Sequence, residues 1–115
     1  MINYRLMKEE DVFQVAAIEK EIFSMPWSEQ SFLDSLKNGN TLYFVAEEGT
    51  IICGYIGLYI SFEEGDISNV AVASDYRNRG IATELLKRLF QHAAEQGVTA
   101  ITLEVRESNA AAIHL

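Results

Sequence analysis

Residues 67–83 read Ile67-Ser68-Asn69-Val70-Ala71-Val72-Ala73-Ser74-Asp75-Tyr76-Arg77-Asn78-Arg79-Gly80-Ile81-Ala82-Thr83. The apolar run from Ile67 to Ala73 predicts a strand, and the helix that follows runs from Gly80 to Gln96 with Ile81, Leu85, Leu89 and Ala93 on its core face. Gly97 ends that helix, where a left-handed residue is wanted, and Thr99 to Val105 predicts another strand. A strand, helix and strand in this order make a crossover that is parallel and right-handed, so the fold is mixed α/β. The loop before the helix has its own chemistry. Several free backbone N–H groups converge there beside the positive helix end, and Gly80 and Ala82 keep bulk away from it. Arg77 and Arg79 add positive charge. A pyrophosphate fits such a site; the alternative is an ordinary helix start with two solvated arginines. No Gly-Lys-Ser/Thr and no G-x-G-x-x-G is present.

Working outward, Glu63-Glu64-Gly65-Asp66 reads as a turn, preceded by Ile51 to Phe62 and Thr41 to Glu47 as an antiparallel hairpin across Glu48-Gly49-Thr50. The strand from Ile51 is apolar on both faces, with Ile52, Ile56, Leu58 and Ile60 on one and Cys53, Tyr55 and Tyr59 on the other, so it belongs inside the sheet. Near the amino end, Asn3 to Met7 predicts a short strand. Lys8 to Phe23 predicts a helix with Val12, Val15, Ile18 and Ile22 inward. Ser24-Met25-Pro26-Trp27-Ser28 breaks that helix, and Ser28 caps a second one ending near Asn38-Gly39. At the other end, Ser108 to Leu115 begins like a capped helix and stops in mid-element.

The chain has 115 residues with a net charge of −8, which fits a single domain spanning 1–115. Its lone Cys53 excludes an internal disulfide framework and reads as a small core residue rather than a nucleophile. His92 and His114 are far apart, so no metal site is expected. The apolar stretch Ile51 to Ile60 is half the roughly 20 residues a bilayer needs, and no signal peptide opens the chain; the expectation is a cytoplasmic protein off the membrane. Acidity disfavours nucleic acid and favours a basic partner.

Arg77-Asn78-Arg79-Gly80-Ile81-Ala82 resembles the Q/R-x-x-G-x-G/A acetyl-CoA signature of the GNAT acetyltransferase superfamily, and the element order follows that superfamily. Ile18-Glu19 with Phe23-Ser24-Met25-Pro26-Trp27-Ser28, and Leu103-Glu104-Val105-Arg106 with Ser108-Asn109-Ala110-Ala111-Ala112-Ile113, are similar to segments of the RimI family of ribosomal-protein-alanine N-acetyltransferases. The resemblance implies the GNAT fold, a mixed central sheet flanked by helices and here lacking its final strands. It also implies acetyl transfer from acetyl-CoA to a protein α-amine, that of an alanine-initiated small-subunit ribosomal protein.

By the same resemblance, the backbone of Val70, Ala71 and Val72 pairs with the pantetheine arm. Arg77, Asn78, Arg79, Gly80, Ile81, Ala82 and Thr83 cradle the pyrophosphate, and Asn109 touches the CoA arm. A peptide-like arm wants ladder partners and a pyrophosphate wants a helix N-terminus, which agrees with the physical reading. Glu104 matches the general base. Independently, Ile101, Leu103 and Val105 share one strand face, which turns Glu104 to the other with Thr102 and Arg106. A carboxylate in a strand that otherwise reads as buried is then either a base, an exposed-face residue or the partner of Arg106.

The family's general acid, a tyrosine, would follow Leu115. The expectation is therefore a piece of a longer enzyme, weak in catalysis and prone to dimerise or aggregate through an uncovered sheet edge. Tyr55, Tyr59 and Tyr76 are poor replacements for that acid. Met25 and Trp27 read equally as an acceptor groove or as core. Two alternatives stay open: acetylation of a lysine or small-molecule amine, and an acyl-CoA-binding module without turnover.

Overall fold

A computed structural model describes residues 1–103 of the chain. Strand β1 (Asn3–Leu6) leads through a 3₁₀ turn at Glu9–Asp11 into helix α1 (Val12–Ile22) and helix α2 (Glu29–Lys37). Strands β2 (Thr41–Glu48), β3 (Ile51–Ser61) and β4 (Glu64–Val72) follow, then a 3₁₀ turn at Ser74–Tyr76, helix α3 (Ile81–Glu95) and strand β5 (Ala100–Leu103). The five strands lie in chain order; β1 to β4 pair antiparallel and β4 with β5 parallel, which is the crossover expected around α3.

Two apolar layers cover the sheet. On one face α3 packs Ile81, Leu85, Leu89 and Ala93, all buried, against Phe44, Ile56, Leu58, Ile67 and Val70. On the other, α1 and α2 contribute Val12, Val15, Ile18 and Phe32 against Tyr43, Val45, Tyr55 and Ala71. The local signals acted as read: Ser28 Oγ accepts from the Ser31 N–H at 3.1 Å, Gly97 has φ of 90°, and the Arg88 Nε donates to Glu84 Oε2 at 2.9 Å.

Three details differ from the expectations. The residues Glu64-Gly65-Asp66 belong to β4; the turn is only Phe62-Glu63, with Phe62 at φ of 57° and almost fully exposed. Gly65 can lie in the ladder because Leu58 covers it so closely that a Cβ there would meet its side chain at 2.9 Å. Second, the faces of β3 are not those of strict alternation. The register shifts between Ala46 and Glu47, where Gly54 and Ile52 are successive partners, so Cys53 sits with Ile56 towards α3 while Ile52 turns to the α1 side with Tyr55. Third, β5 is not buried in its described part: Ile101 is half-buried, and Thr102 and Leu103 are exposed. The predicted strand to Val105 and the helix from Ser108 extend outside the described residues.

A non-local ion cluster ties β1 to β2. Arg5 donates from Nη1 and Nη2 to Asp11 at 2.7 and 2.9 Å, and from Nε and Nη2 to Glu47 at 2.9 Å each. The Arg5 guanidinium, with help from Asn3, holds the Glu47 carboxyl at about 2. Burial alone would raise the Asp11 carboxyl, but Arg5 and the Lys8 N–H outweigh it and leave it lowered.

Candidate active site

The candidate site is made of the end of β4, the turn after it and the first turn of α3, which follow one another along the chain. Val70 and Ala71 bury their side chains in opposite layers, and Ala71 pairs with Tyr55 of β3. The strand is held straight into the turn: the Ala73 N–H donates to the Cys53 carbonyl at 2.8 Å and the Tyr76 N–H to the Ala73 carbonyl at 2.9 Å. Arg77 is exposed and its Nε reaches back to the Val72 carbonyl at 3.4 Å. The Arg79 guanidinium lies over the Tyr76 ring, 4.9 Å from its centroid. The Tyr76 hydroxyl donates to Glu48 Oε1 at 3.2 Å, and burial together with the Glu48 charge pushes its pKa up.

Asn78 and Gly80 are both left-handed, with φ of 64° and 75°. Gly80 is the N-cap of α3 and supplies no side-chain cap, and the first intrahelical bond runs from the Glu84 N–H to the Gly80 carbonyl at 3.0 Å. The N–H groups of Ile81, Ala82 and Thr83 therefore stand ahead of the helical ladder, beside two arginines, in a chain with a net charge of −8. A Cβ at Gly80 would meet nothing within 4 Å. Glycine is needed there for its φ, and the space beside it is open.

What fixes this cradle is Gly54 of β3. A Cβ on Gly54 would meet the Ala71 carbonyl at 3.2 Å, Ile81 Cγ2 at 3.3 Å and Leu85 Cδ1 at 3.4 Å, so β3, β4 and the start of α3 pack in direct contact. Val70, Ala71 and Val72 close β4, Arg77, Asn78, Arg79 and Gly80 lie in the loop after it, and Ile81, Ala82 and Thr83 open α3; Ile81 is 2% exposed, so only its backbone faces outward. Glu104 and Asn109 lie outside the described residues. Among the described residues no cluster of His, Cys, Asp and Glu has the makings of a metal site, and no helix is long and apolar enough to cross a membrane.

Across the sheet, the α1–α2 connection lines an open groove of about 530 Å³ between Phe13, Ala16, Lys20, Pro26, Trp27 and Glu29. Trp27 is half-buried and its ring packs against Phe32 at 5.3 Å, whereas Met25 is exposed. The sequence reading quotes Glu19 only within a segment of family resemblance and assigns it no role. Fully buried on α1, it accepts from the Trp27 N–H at 3.0 Å and from the Tyr55 hydroxyl. Its place seven residues after Val12, on the buried stripe, was the available signal. Cys53 is the buried core thiol expected, raised in pKa by burial.

Residues 12–115 match the acetyltransferase (GNAT) family. The chain is 32% identical over 106 residues to a putative [ribosomal protein bS18]-alanine N-acetyltransferase of Bacillus subtilis, covering 91% of this chain and 70% of that one. It is 33% identical over 98 residues to the [ribosomal protein bS18]-alanine N-acetyltransferase of Escherichia coli, covering 85% of this chain and 66% of that protein. The crystal structure of the Escherichia coli ribosomal-protein-S18-alanine N-acetyltransferase superposes with a TM-score of 0.86 at 29% identity, over 98% of this chain and 72% of the other. An aminoglycoside acetyltransferase from a soil metagenome shares the fold, with a TM-score of 0.80 at 19% identity. With residues 12–115 matched by the family, the chain belongs to the acetyltransferase (GNAT) family and is similar within it to the ribosomal-protein-alanine N-acetyltransferases.

Proposed function

We propose that the protein moves an acetyl group from acetyl-CoA to the N-terminal α-amine of a protein, that of an alanine-initiated ribosomal protein. The observation that carries the reading is the start of α3: three backbone N–H groups ahead of the helical ladder, set by two left-handed residues and flanked by Arg77 and Arg79. That donor set fits a pyrophosphate, with amides for the oxygens and guanidinium groups for the charge. The cosubstrate supplies an activated thioester. The main chain of Val70, Ala71 and Val72 orients the arm that carries it, with the Val72 N–H set to polarise the thioester oxygen, while Arg77 to Thr83 hold the diphosphate and Asn109 steadies the arm.

Glu104 is the base in this reading. An acceptor ammonium cannot attack until it loses a proton, and a peptide α-amine has a pKa of about 8, so a carboxylate acting through water suffices. The named relatives support the ribosomal acceptor, and the chain's acidity suits a basic partner.

Calorimetric titration with acetyl-CoA, repeated on Gly80→Glu, tests the cofactor half: the variant places an anion in the open space beside the amides and is expected to abolish binding. Mass spectrometry with an alanine-initiated peptide, the same peptide acetylated at its amino terminus and a lysine peptide tests the acceptor half. Acetylation of the blocked peptide would overturn the α-amine assignment, and binding retained in Gly80→Glu would overturn the cradle.

A further inference from the structure

Asn69 is 2% exposed, yet among the described residues neither its Oδ1 nor its Nδ2 has a hydrogen-bond partner. It stands in β4 between Ile67 and Val70, where the pattern otherwise asks for apolar side chains. A buried amide without partners is destabilising, so its presence needs a reason.

Its surroundings narrow that reason. The register pairs Tyr43 with Gly57 and Gly57 with Asn69, which puts the three in one row across the sheet. Alternation with Ala71, which packs in the α1–α2 layer, turns the Asn69 side chain to that face. Gly57 contributes no side chain to the row, and the Tyr43 hydroxyl is engaged with Ser35 Oγ at 2.9 Å. The nearby buried carboxylate, Glu19, is engaged with Trp27 and Tyr55. A β-bulge at Gly57/Leu58 lies at this point, beside the last described pair of β4 with β5, Ile67 with Leu103. The next residues are Val70, Ala71 and Val72.

We infer that the Asn69 carboxamide holds the first peptide group of the acceptor polypeptide and thereby selects protein N-termini over simple amines. The inference rests on the proposed function, in which Val70 to Val72 carry the thioester arm. Both faces of the sheet are covered, by α3 on one side and by α1 and α2 on the other, so the link to the acceptor rests on adjacency along β4: Asn69 directly precedes Val70, and an amine brought to that arm comes beside its carboxamide. A carboxamide has an acceptor and donors in one plane, the complement of a peptide group, and would find there the partners it lacks.

The test uses wild type, Asn69→Leu and Asn69→Ala, with an alanine-initiated peptide and its analogue in which the first peptide N–H is replaced by an ester oxygen. Acetyl-CoA affinity by calorimetry is expected to stay within about two-fold in both variants, while the acceptor KM rises about ten-fold, the scale of one buried hydrogen bond to a polar partner. Wild type is expected to lose about ten-fold on the ester, and the variants to lose nothing further. That coupling is independent of any change in Tm, so a structural role for the amide would not produce it. Equal ester penalties in wild type and variants overturn the inference alone; a wild type that acetylates no alanine-initiated peptide overturns the proposed function and the inference together.

Discussion

Adding one carbon at Gly57 is expected to unsettle the α1–α2 layer, although it removes no contact. A Cβ there would lie 2.2 Å from Tyr43 Cε1 and 2.8 Å from Cδ1 and Cζ. Carbon atoms pack at about 3.5–4.0 Å, so the ring must shift by more than an ångström. It has little freedom to do so. Tyr43 is 3% exposed, its hydroxyl bonds Ser35 at 2.9 Å, and its ring meets Phe32 edge-on at 6.4 Å. Overpacking costs about 1–3 kcal/mol and the strained hydroxyl bond about 1 kcal/mol more, while alanine recovers up to about 1 kcal/mol of backbone entropy. The net loss is about 2 kcal/mol, or roughly 10 °C in Tm for a domain of this size. Thermal unfolding of Gly57→Ala, Tyr43→Leu and the double variant checks it. The clash predicts that the double variant is more stable than the sum of the singles by about 1–2 kcal/mol. A Gly57→Ala protein melting within 2 °C of wild type, or strictly additive losses, would refute the steric argument.

The ion cluster makes stability depend on acid. Asp11 and Glu47 have lowered pKa values when folded, so their contribution is complete above the ordinary carboxylate pKa of about 4.5 and is lost as pH falls through the folded value, about 2 for Glu47. Urea titrations between pH 5 and pH 2 are expected to show a steep fall that Arg5→Met flattens; parallel profiles would contradict it. Replacing Glu19 by alanine removes the carboxylate that the Trp27 N–H and the Tyr55 hydroxyl donate to and is expected to cost about 3 kcal/mol, with Glu19→Gln milder. Trp27 fluorescence reports it: a red shift in the alanine variant is expected, and an unchanged spectrum with unchanged stability would exclude the anchor.

The crossover and the face of α3 were legible because their signals lie in contiguous stretches of sequence. Ile81, Leu85, Leu89 and Ala93 recur at helical spacing, whereas Gly80, read in the sequence as keeping bulk away from an anion, has open space beside it and is required for its left-handed φ of 75°. The register shifts were not legible. Nothing in Ala46-Glu47 or Cys53-Gly54 announces the extra residue that turns Ile52 over, because a bulge is settled between strands rather than within one. The acidic string Glu63-Glu64-Gly65-Asp66 looked like a turn by composition, and only the pairing of Glu64 with Ser61 and with Ala100 makes it a strand. Arg5, Asp11 and Glu47 meet across 42 positions of chain, which no local pattern carries. Of the candidate site, the residues from Arg77 to Thr83 are contiguous and could be named from sequence as candidates, whereas Asn69 drew no notice inside a predicted strand because its meaning depends on burial.

Gly54 has a thermodynamic consequence for ligand capture. Because it lets β3, β4 and α3 touch, the loop from Ala73 to Gly80 is clamped at both ends by the hydrophobic core. Its conformational entropy is surrendered when the chain folds, before any ligand arrives. Association then requires ordering of the ligand alone, so affinity should be governed by how fast a bound molecule escapes rather than by the rarity of a competent loop.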